Sequence, residues 1–203
     1  MTPLPTALLL KAYSEGFFPM ADPEDGQIGW YSPDPRSIIP LDGFRVSRSL
    51  RRTVERGTFR VTTDLDFPAV ISRCADRPDT WISPAIAEAY SALWREGHGH
   101  SVECRSGGEL VGGLYGVAIG AAFFGESMFS LRTDASKVAL VHLVRILRGG
   151  GFTLLDIQFL TPHLESFGAV ELPRDGYLGL LACALEKTAK FGSSGTVGPP
   201  SGY

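Results

Sequence analysis

Apolar positions recur along this chain at helical spacing in some stretches and alternate in others, and the change of period marks out the elements. Between Pro5 and Glu15 the spacing of Leu9, Ala12 and Tyr13 predicts a short helix that Gly16 ends. Two aromatic stretches follow, Gly16-Phe17-Phe18-Pro19-Met20 and Trp30-Tyr31-Ser32-Pro33-Asp34-Pro35-Arg36. Their prolines exclude long regular elements, so they read as ordered loops packed on a core. Ser47 is placed to cap a helix over Arg48 to Arg56, with Leu50 and Val54 inward and Gly57 as the stop. After a strand at Phe59 to Thr63, Asp66 is expected to cap a helix that buries Phe67, Ile71 and Cys74. Ser83-Pro84 starts another, which runs to Gly97 and buries Ile86, Tyr90 and Leu93.

The period then shortens. Ser101 to Arg105 and Glu109 to Tyr115 form a hairpin about Ser106-Gly107-Gly108. A further strand runs through Ala121-Ala122-Phe123-Phe124 into Gly125-Glu126-Ser127-Met128-Phe129-Ser130, where an acid interrupts an apolar run. Thr133 or Asp134 begins the most apolar helix, Ala135 to Arg148, in which Leu140, Leu143, Val144 and Leu147 share a face and which Gly149 ends. A strand at Leu154 to Leu160, a one-turn helix from Pro162 to Phe167, an extended Val170 to Leu172 and a helix from Asp175 to about Lys190 complete the pattern. That order implies an α+β or α/β fold around a mixed sheet, the order of a GNAT-type acyltransferase core. Residues 191–203, rich in Gly, Ser and Pro, read as a disordered tail.

Composition narrows the class. The chain has 203 residues, 44% hydrophobic and 20% charged, enough for one core or a large domain with a small appendage. The apolar run in the first eleven residues is too short for a membrane span and has no basic flank, which points to the cytoplasm. Cys74, Cys104 and Cys183 are odd in number and far apart, against a disulfide framework or a thiolate zinc site. His98 and His100 offer a metal only two ligands. A net charge of −3 gives no global sign of nucleic acid. Locally, Arg45, Arg48, Arg51, Arg52 and Arg56 stand against Glu55 alone, either a phosphate-binding face or a solvated helix surface.

The Leu154 to Leu160 strand poses the chemical question. Alternation puts Asp156 and Gln158 on one face, Leu155, Ile157 and Phe159 on the other. An unpaired buried amide costs about 1 to 3 kcal/mol and a lone carboxylate more. The two polar residues therefore either tie down a neighbouring loop or line a reaction cleft.

Several blocks carry a resemblance. Gly112-Gly113-Leu114-Tyr115-Gly116-Val117, Gly125 to Ser130, Asp156-Ile157-Gln158, Trp30 to Arg36 and Gly97-His98-Gly99-His100-Ser101 resemble the signature blocks of the leucyl/phenylalanyl-tRNA–protein transferases. The resemblance implies a small N-terminal domain, 1–35, before a GNAT-like catalytic domain, 36–190. It implies transfer of Leu or Phe from the 3′ end of an aminoacyl-tRNA to a protein or peptide N-terminus beginning with Arg or Lys, marking it for degradation. No metal, organic cofactor or membrane is implied. By position, Asp156 and Gln158 match the catalytic pair and Glu126 the acceptor-binding acid. Leu114, Met128, Leu143, Leu147 and Leu155 fall at the aminoacyl pocket. Trp81, Tyr13, Met20, Tyr90, Arg48 and Arg52 fall at tRNA-binding positions. Met20 stands where members of the family have Trp, and a thioether can still cover a ring face.

An aminoacyl ester is already activated, so a catalyst need mainly place an amine beside its carbonyl. The Gln158 carbonyl is expected to accept a hydrogen bond from that amine while Asp156 orients Gln158. Glu126 with Asp156 would form an acidic mouth for a cationic acceptor. A leucine- and methionine-lined slot discriminates weakly between neighbours, so methionine is expected as a poorer donor. Two rival readings remain. Acetyl-CoA as donor is disfavoured by Ser130-Leu131-Arg132-Thr133-Asp134, a loop without glycine that ends in an acid. A non-catalytic RNA-binding module leaves Asp156 and Gln158 unexplained.

Overall fold

The computed structural model describes residues 4–198. Its elements are α1 (Thr6–Ser14), β1 (Phe18–Ala21), β2 (Ile28–Tyr31), β3 (Arg36–Ile38), α2 (Arg48–Glu55), β4 (Arg60–Thr63), α3 (Phe67–Ala75), α4 (Pro84–Arg95), β5 (Gly99–Ser106), β6 (Glu109–Ile119), β7 (Ala122–Ser130), α5 (Ala135–Gly150), β8 (Leu154–Gln158), α6 (Pro162–Glu165), β9 (Val170–Leu172), α7 (Arg174–Leu185) and β10 (Gly195–Val197). The fold is mixed α/β. One eight-stranded sheet has the order β10-β4-β5-β6-β7-β8-β3-β9, and β1 and β2 make a separate antiparallel pair.

Two hydrophobic clusters cover the sheet. Leu114 and Leu155 belong to the one built on α2 and α5, whereas their neighbours Tyr115 and Leu154 belong to the one built on α1, α3, α4 and α7. This is strand alternation expressed as two cores. Gly112 lets α5 lie close on β6, since a Cβ there would come within 2.4 Å of the Ala135 side chain.

Among the described residues of the sheet only β7 and β8 pair in parallel, and they do so over three positions, from Ala122↔Leu154 to Phe124↔Asp156. Beyond Phe124 the strands part. On the other flank of β7 a bulge sets Tyr115 opposite Ser127 and Gly116 opposite Gly125, leaving Glu126 with no facing residue. The parting and the bulge coincide, so the most polar residues of both strands meet at one opening.

Local chemistry placed most of the helices. Ser47 accepts from Leu50 N at 3.2 Å and Ser83 from Ile86 N at 3.3 Å, as capping requires. Asp66 does not cap α3; its carboxylate is turned 2.7 Å from an Arg105 nitrogen instead. The expected loops around Met20 and Trp30 are short strands, because four-residue runs pair despite Pro19 within the first and Pro33 just beyond the second. Helix α5 continues through Gly149 and stops at Gly151, whose φ is +82°. Helix α7 ends at Leu185, short of Lys190. The supposed disordered tail begins with Phe191, which is buried and stacked on His100 and Phe123, and continues as β10 on the edge of β4. Its last part, 199–203, lies outside the described residues, as do the first three residues of the chain. Among the described residues no helix is long and apolar enough to cross a membrane.

Candidate active site

Asp156, at the point where β7 and β8 part, is fully buried and fully engaged. Oδ1 accepts from Arg36 Nε and from the Gln158 backbone N, both at 2.9 Å; Oδ2 accepts from Arg36 Nη2 at 2.6 Å and from the Tyr177 hydroxyl at 2.7 Å. These four bonds fill the lone-pair sites of a carboxylate. The Arg36 guanidinium lies between the rings of Phe18 and Tyr177, 4.8 and 4.7 Å from their centroids, and donates to Gly16 O at 3.0 Å. The expected acidic mouth of Glu126 and Asp156 is therefore not formed: Asp156 is neutralised inside the protein, and Glu126 alone opens on the cavity.

Gln158 departs from extended backbone geometry. Its φ is +58°, and its backbone N–H turns back to Asp156. The side chain then reaches across the opening, where Nε2 donates to Glu126 Oε1 at 3.2 Å. Gln158 lines the cavity, and its side-chain carbonyl accepts no hydrogen bond from the described residues.

Glu126 is held by phenols. Tyr13 OH is 2.6 Å from Oε1, Tyr90 OH is 2.9 Å from Oε2, and the two hydroxyls are 2.5 Å apart. Three oxygen–oxygen contacts require three protons, and two hydroxyls supply two. The triangle is complete when Glu126 carries the third. Burial pushes the Glu126 pKa up to about 7, against the pull of the two phenol bonds. Burial also raises the Tyr13 and Tyr90 phenols well above their ordinary value, so they remain donors.

The cavity holds about 280 Å³. One wall is apolar, with Leu114, Met128, Leu140, Leu143 and Leu155; the other carries Phe18, Met20, Trp81, Tyr115 and Glu126. Of the expected aminoacyl-pocket residues, Leu147 is not on the wall: one turn beyond Leu143 it is wholly inside the core. Tyr13 and Tyr90 present no surface to a tRNA, being buried behind Glu126. Arg48 and Arg52 lie on the exposed face of α2, away from the cavity lining. His98 and His100 are occupied elsewhere, by Ala118 O and Asp64. Arg36 and Tyr177 were missed because their partner is 120 and 21 residues away, although Arg36 ends one of the signature blocks.

Residues 38–182 match the family described as Leucyl/phenylalanyl-tRNA protein transferase, and residues 3–34 match its N-terminal domain. The chain belongs to this family. It is 55% identical over 195 residues to the leucyl/phenylalanyl-tRNA–protein transferase of Cereibacter sphaeroides, covering 96% of this chain and 91% of that one. To the enzyme of the same name from Paramagnetospirillum magneticum it is 54% identical, covering 97% of each. As a member of the leucyl/phenylalanyl-tRNA–protein transferase family the chain is an aminoacyltransferase. Among solved structures it is distantly similar to the C-terminal domain of a putative lysylphosphatidylglycerol synthetase from Agrobacterium fabrum, at 13% identity, 81% and 55% coverage of the two chains and a TM-score of 0.43.

Proposed function

We propose that this protein transfers leucine or phenylalanine, and methionine less well, from the 3′ end of an aminoacyl-tRNA to an acceptor protein whose N-terminus is Arg or Lys, marking it for degradation in the cytoplasm. The observation that carries this reading is the Gln158 amide on the cavity wall, whose nitrogen is tied to Glu126 and whose carbonyl accepts no hydrogen bond from the described residues. In the reaction the acceptor α-amine attacks the ester carbonyl, a C–N bond forms, the ester C–O bond breaks, and the ribose oxygen leaves with a proton. The amine has an ordinary pKa of about 7.7 to 8.0, so a useful fraction is neutral near pH 7. Gln158 Oε1 accepts a hydrogen bond from that amine and holds it beside the carbonyl; such placement supplies on the order of 7 to 11 kcal/mol. Asp156 acts through Gln158, fixing its backbone and thereby the direction of its side chain.

The apolar wall suits the leucyl or phenylalanyl side chain, and Trp81 with Met20 suits the terminal adenine. Glu126 serves the acceptor cation once it has released its proton. Arg48 and Arg52 on the outer face of α2 are suited to tRNA phosphates. Residues 1–35 act as a small domain on a GNAT-type core, a reading supported by the parting of two parallel strands at the site.

The test is transfer of labelled leucine from leucyl-tRNA to a peptide starting with Arg, beside the same assay with acetyl-CoA. Incorporation from leucyl-tRNA, lost in Gln158→Ala and absent with an acetylated peptide, is the expected result. Acetylation in place of leucine transfer would overturn the donor assignment.

A further inference from the structure

Arg77 stands on the cavity wall with no role in the chemistry above. Among the described residues it is the only lysine or arginine on that wall. His163, also on the wall, has its pKa lowered by burial and stays uncharged near neutral pH. Arg36, Arg73, Arg95 and Arg105 each face a carboxylate. Arg77 differs. Among the described residues no carboxylate lies within 4.0 Å of it, and its side-chain contact is a long one, Nη2 to Ser127 Oγ at 3.4 Å.

The loop that carries Arg77 also carries Trp81, and it is pinned at both ends. Arg77 N donates to Ala75 O at 2.8 Å, Ala21 N on β1 donates to Trp81 O at 3.1 Å, and Ile82 N donates to Thr80 Oγ1 at 3.1 Å. The guanidinium and the indole are thus presented to one cavity by a short, fixed segment. The cavity's polar wall otherwise offers Glu126, which would repel an incoming phosphate whenever it is ionised. An anionic ligand entering beside it needs a local cation.

We propose that Arg77, steadied by Ser127, binds the phosphodiester immediately 5′ of the terminal adenosine of the donor. This rests on the aminoacyl-tRNA reading of the cavity and assigns the place of one phosphate within it. A guanidinium recognises phosphate oxygens through charge-assisted, forked hydrogen bonds, which a lysine reproduces only as a point charge. The contact is exposed, so it acts mainly on donor binding.

Two donors separate the contribution of that phosphate: phenylalanyl-adenosine, which has none, and the phenylalanyl ester of cytidylyl-adenosine, which has one at the required place. Wild-type protein is expected to show the lower KM for the second. Arg77→Ala should raise that KM about 10-fold with kcat nearly constant, move the KM for phenylalanyl-adenosine by less than about twofold, and leave the two donors alike; Arg77→Lys should recover part of the difference. With whole leucyl-tRNA, Arg77→Ala should make the dependence of log KM on log salt shallower by about 0.7. Equal use of both donors by the wild type, equal loss of both in Arg77→Ala, or an unchanged salt slope would overturn the subsite while leaving the transferase reading intact. Transfer from none of the three donors would overturn that reading and the subsite with it.

Discussion

Asp156 and Glu126 occupy neighbouring strands on either side of the point where β7 and β8 part, and they are held in opposite ways. Asp156 has a guanidinium on both oxygens, a phenol and a backbone N–H, and no contact with the cavity. Glu126 has two phenols and an amide, no cation within pairing distance among the described residues, and a place on the cavity wall. A buried carboxylate that is paired with arginine becomes a fixed post. One that is surrounded by hydroxyls keeps a choice of protonation state. Gln158 connects them, with its backbone on the first and its side chain on the second.

The strongest way to break this contrast is to remove the guanidinium. Arg36→Met leaves a buried charge without its partner and should cost about 3 to 5 kcal/mol of unfolding free energy, measurable by urea denaturation; adding Asp156→Asn should restore much of it. If Arg36→Met were as stable as wild type, Asp156 would not be a fixed post. Next in size is Gln158→Ala. It should lower turnover about 100-fold, the scale of losing one positioned polar group in an active site, while the urea midpoint hardly moves. Turnover within a few-fold of wild type would remove Gln158 from the chemistry.

The apolar wall permits a finer comparison. Leu143→Ala and Leu147→Ala should both destabilise by about 2 to 5 kcal/mol. Only Leu143 lines the cavity, so only its variant should shift the ratio of phenylalanine to leucine transfer, by roughly 10-fold. Equal shifts in both would place Leu147 on the wall after all. The smallest effect belongs to Glu126. The folded chain keeps this proton up to about pH 7, whereas the unfolded chain releases it near 4.5. Between those limits the folded state binds more protons, so this group makes stability fall as pH rises through the window. Thermal unfolding of wild type and Glu126→Gln between pH 4 and 8 should show the slope in the first and its reduction in the second.

Much of this was legible along the chain. Caps at Ser47 and Ser83, the glycine turn of the hairpin and the apolar face of α5 are local signals, and they hold because each depends on residues a few positions apart. Asp156 and Gln158 stood out as polar residues in an apolar strand. What failed was long-range or fine-grained. No local pattern says that Arg36 will meet Asp156, or that Tyr13 and Tyr90 will turn their hydroxyls inward to Glu126. Helical spacing put Leu143 and Leu147 on one face but could not say that the cavity ends between them. Alternation held for Leu154, Leu155 and Ile157, but no local pattern foretold the positive φ of Gln158. Composition misjudged the C-terminal segment because backbone pairing with β4 and one buried ring, Phe191, outweigh a Gly- and Ser-rich sequence.

The bonds around Asp156 also set a timetable. They gather Gly16 and Arg36 from the start of the chain, Gln158 from its second half and Tyr177 from α7. During synthesis the first of these wait for the last, so the post that fixes Gln158 cannot be completed until Tyr177 has emerged. Contacts spanning such a length close late. A chain cut short before α7 has almost every wall of the cavity and lacks the phenol that completes the Asp156 post. Nearly finished copies therefore hold Asp156 with one bond fewer, Tyr177 being the last of its partners to be made.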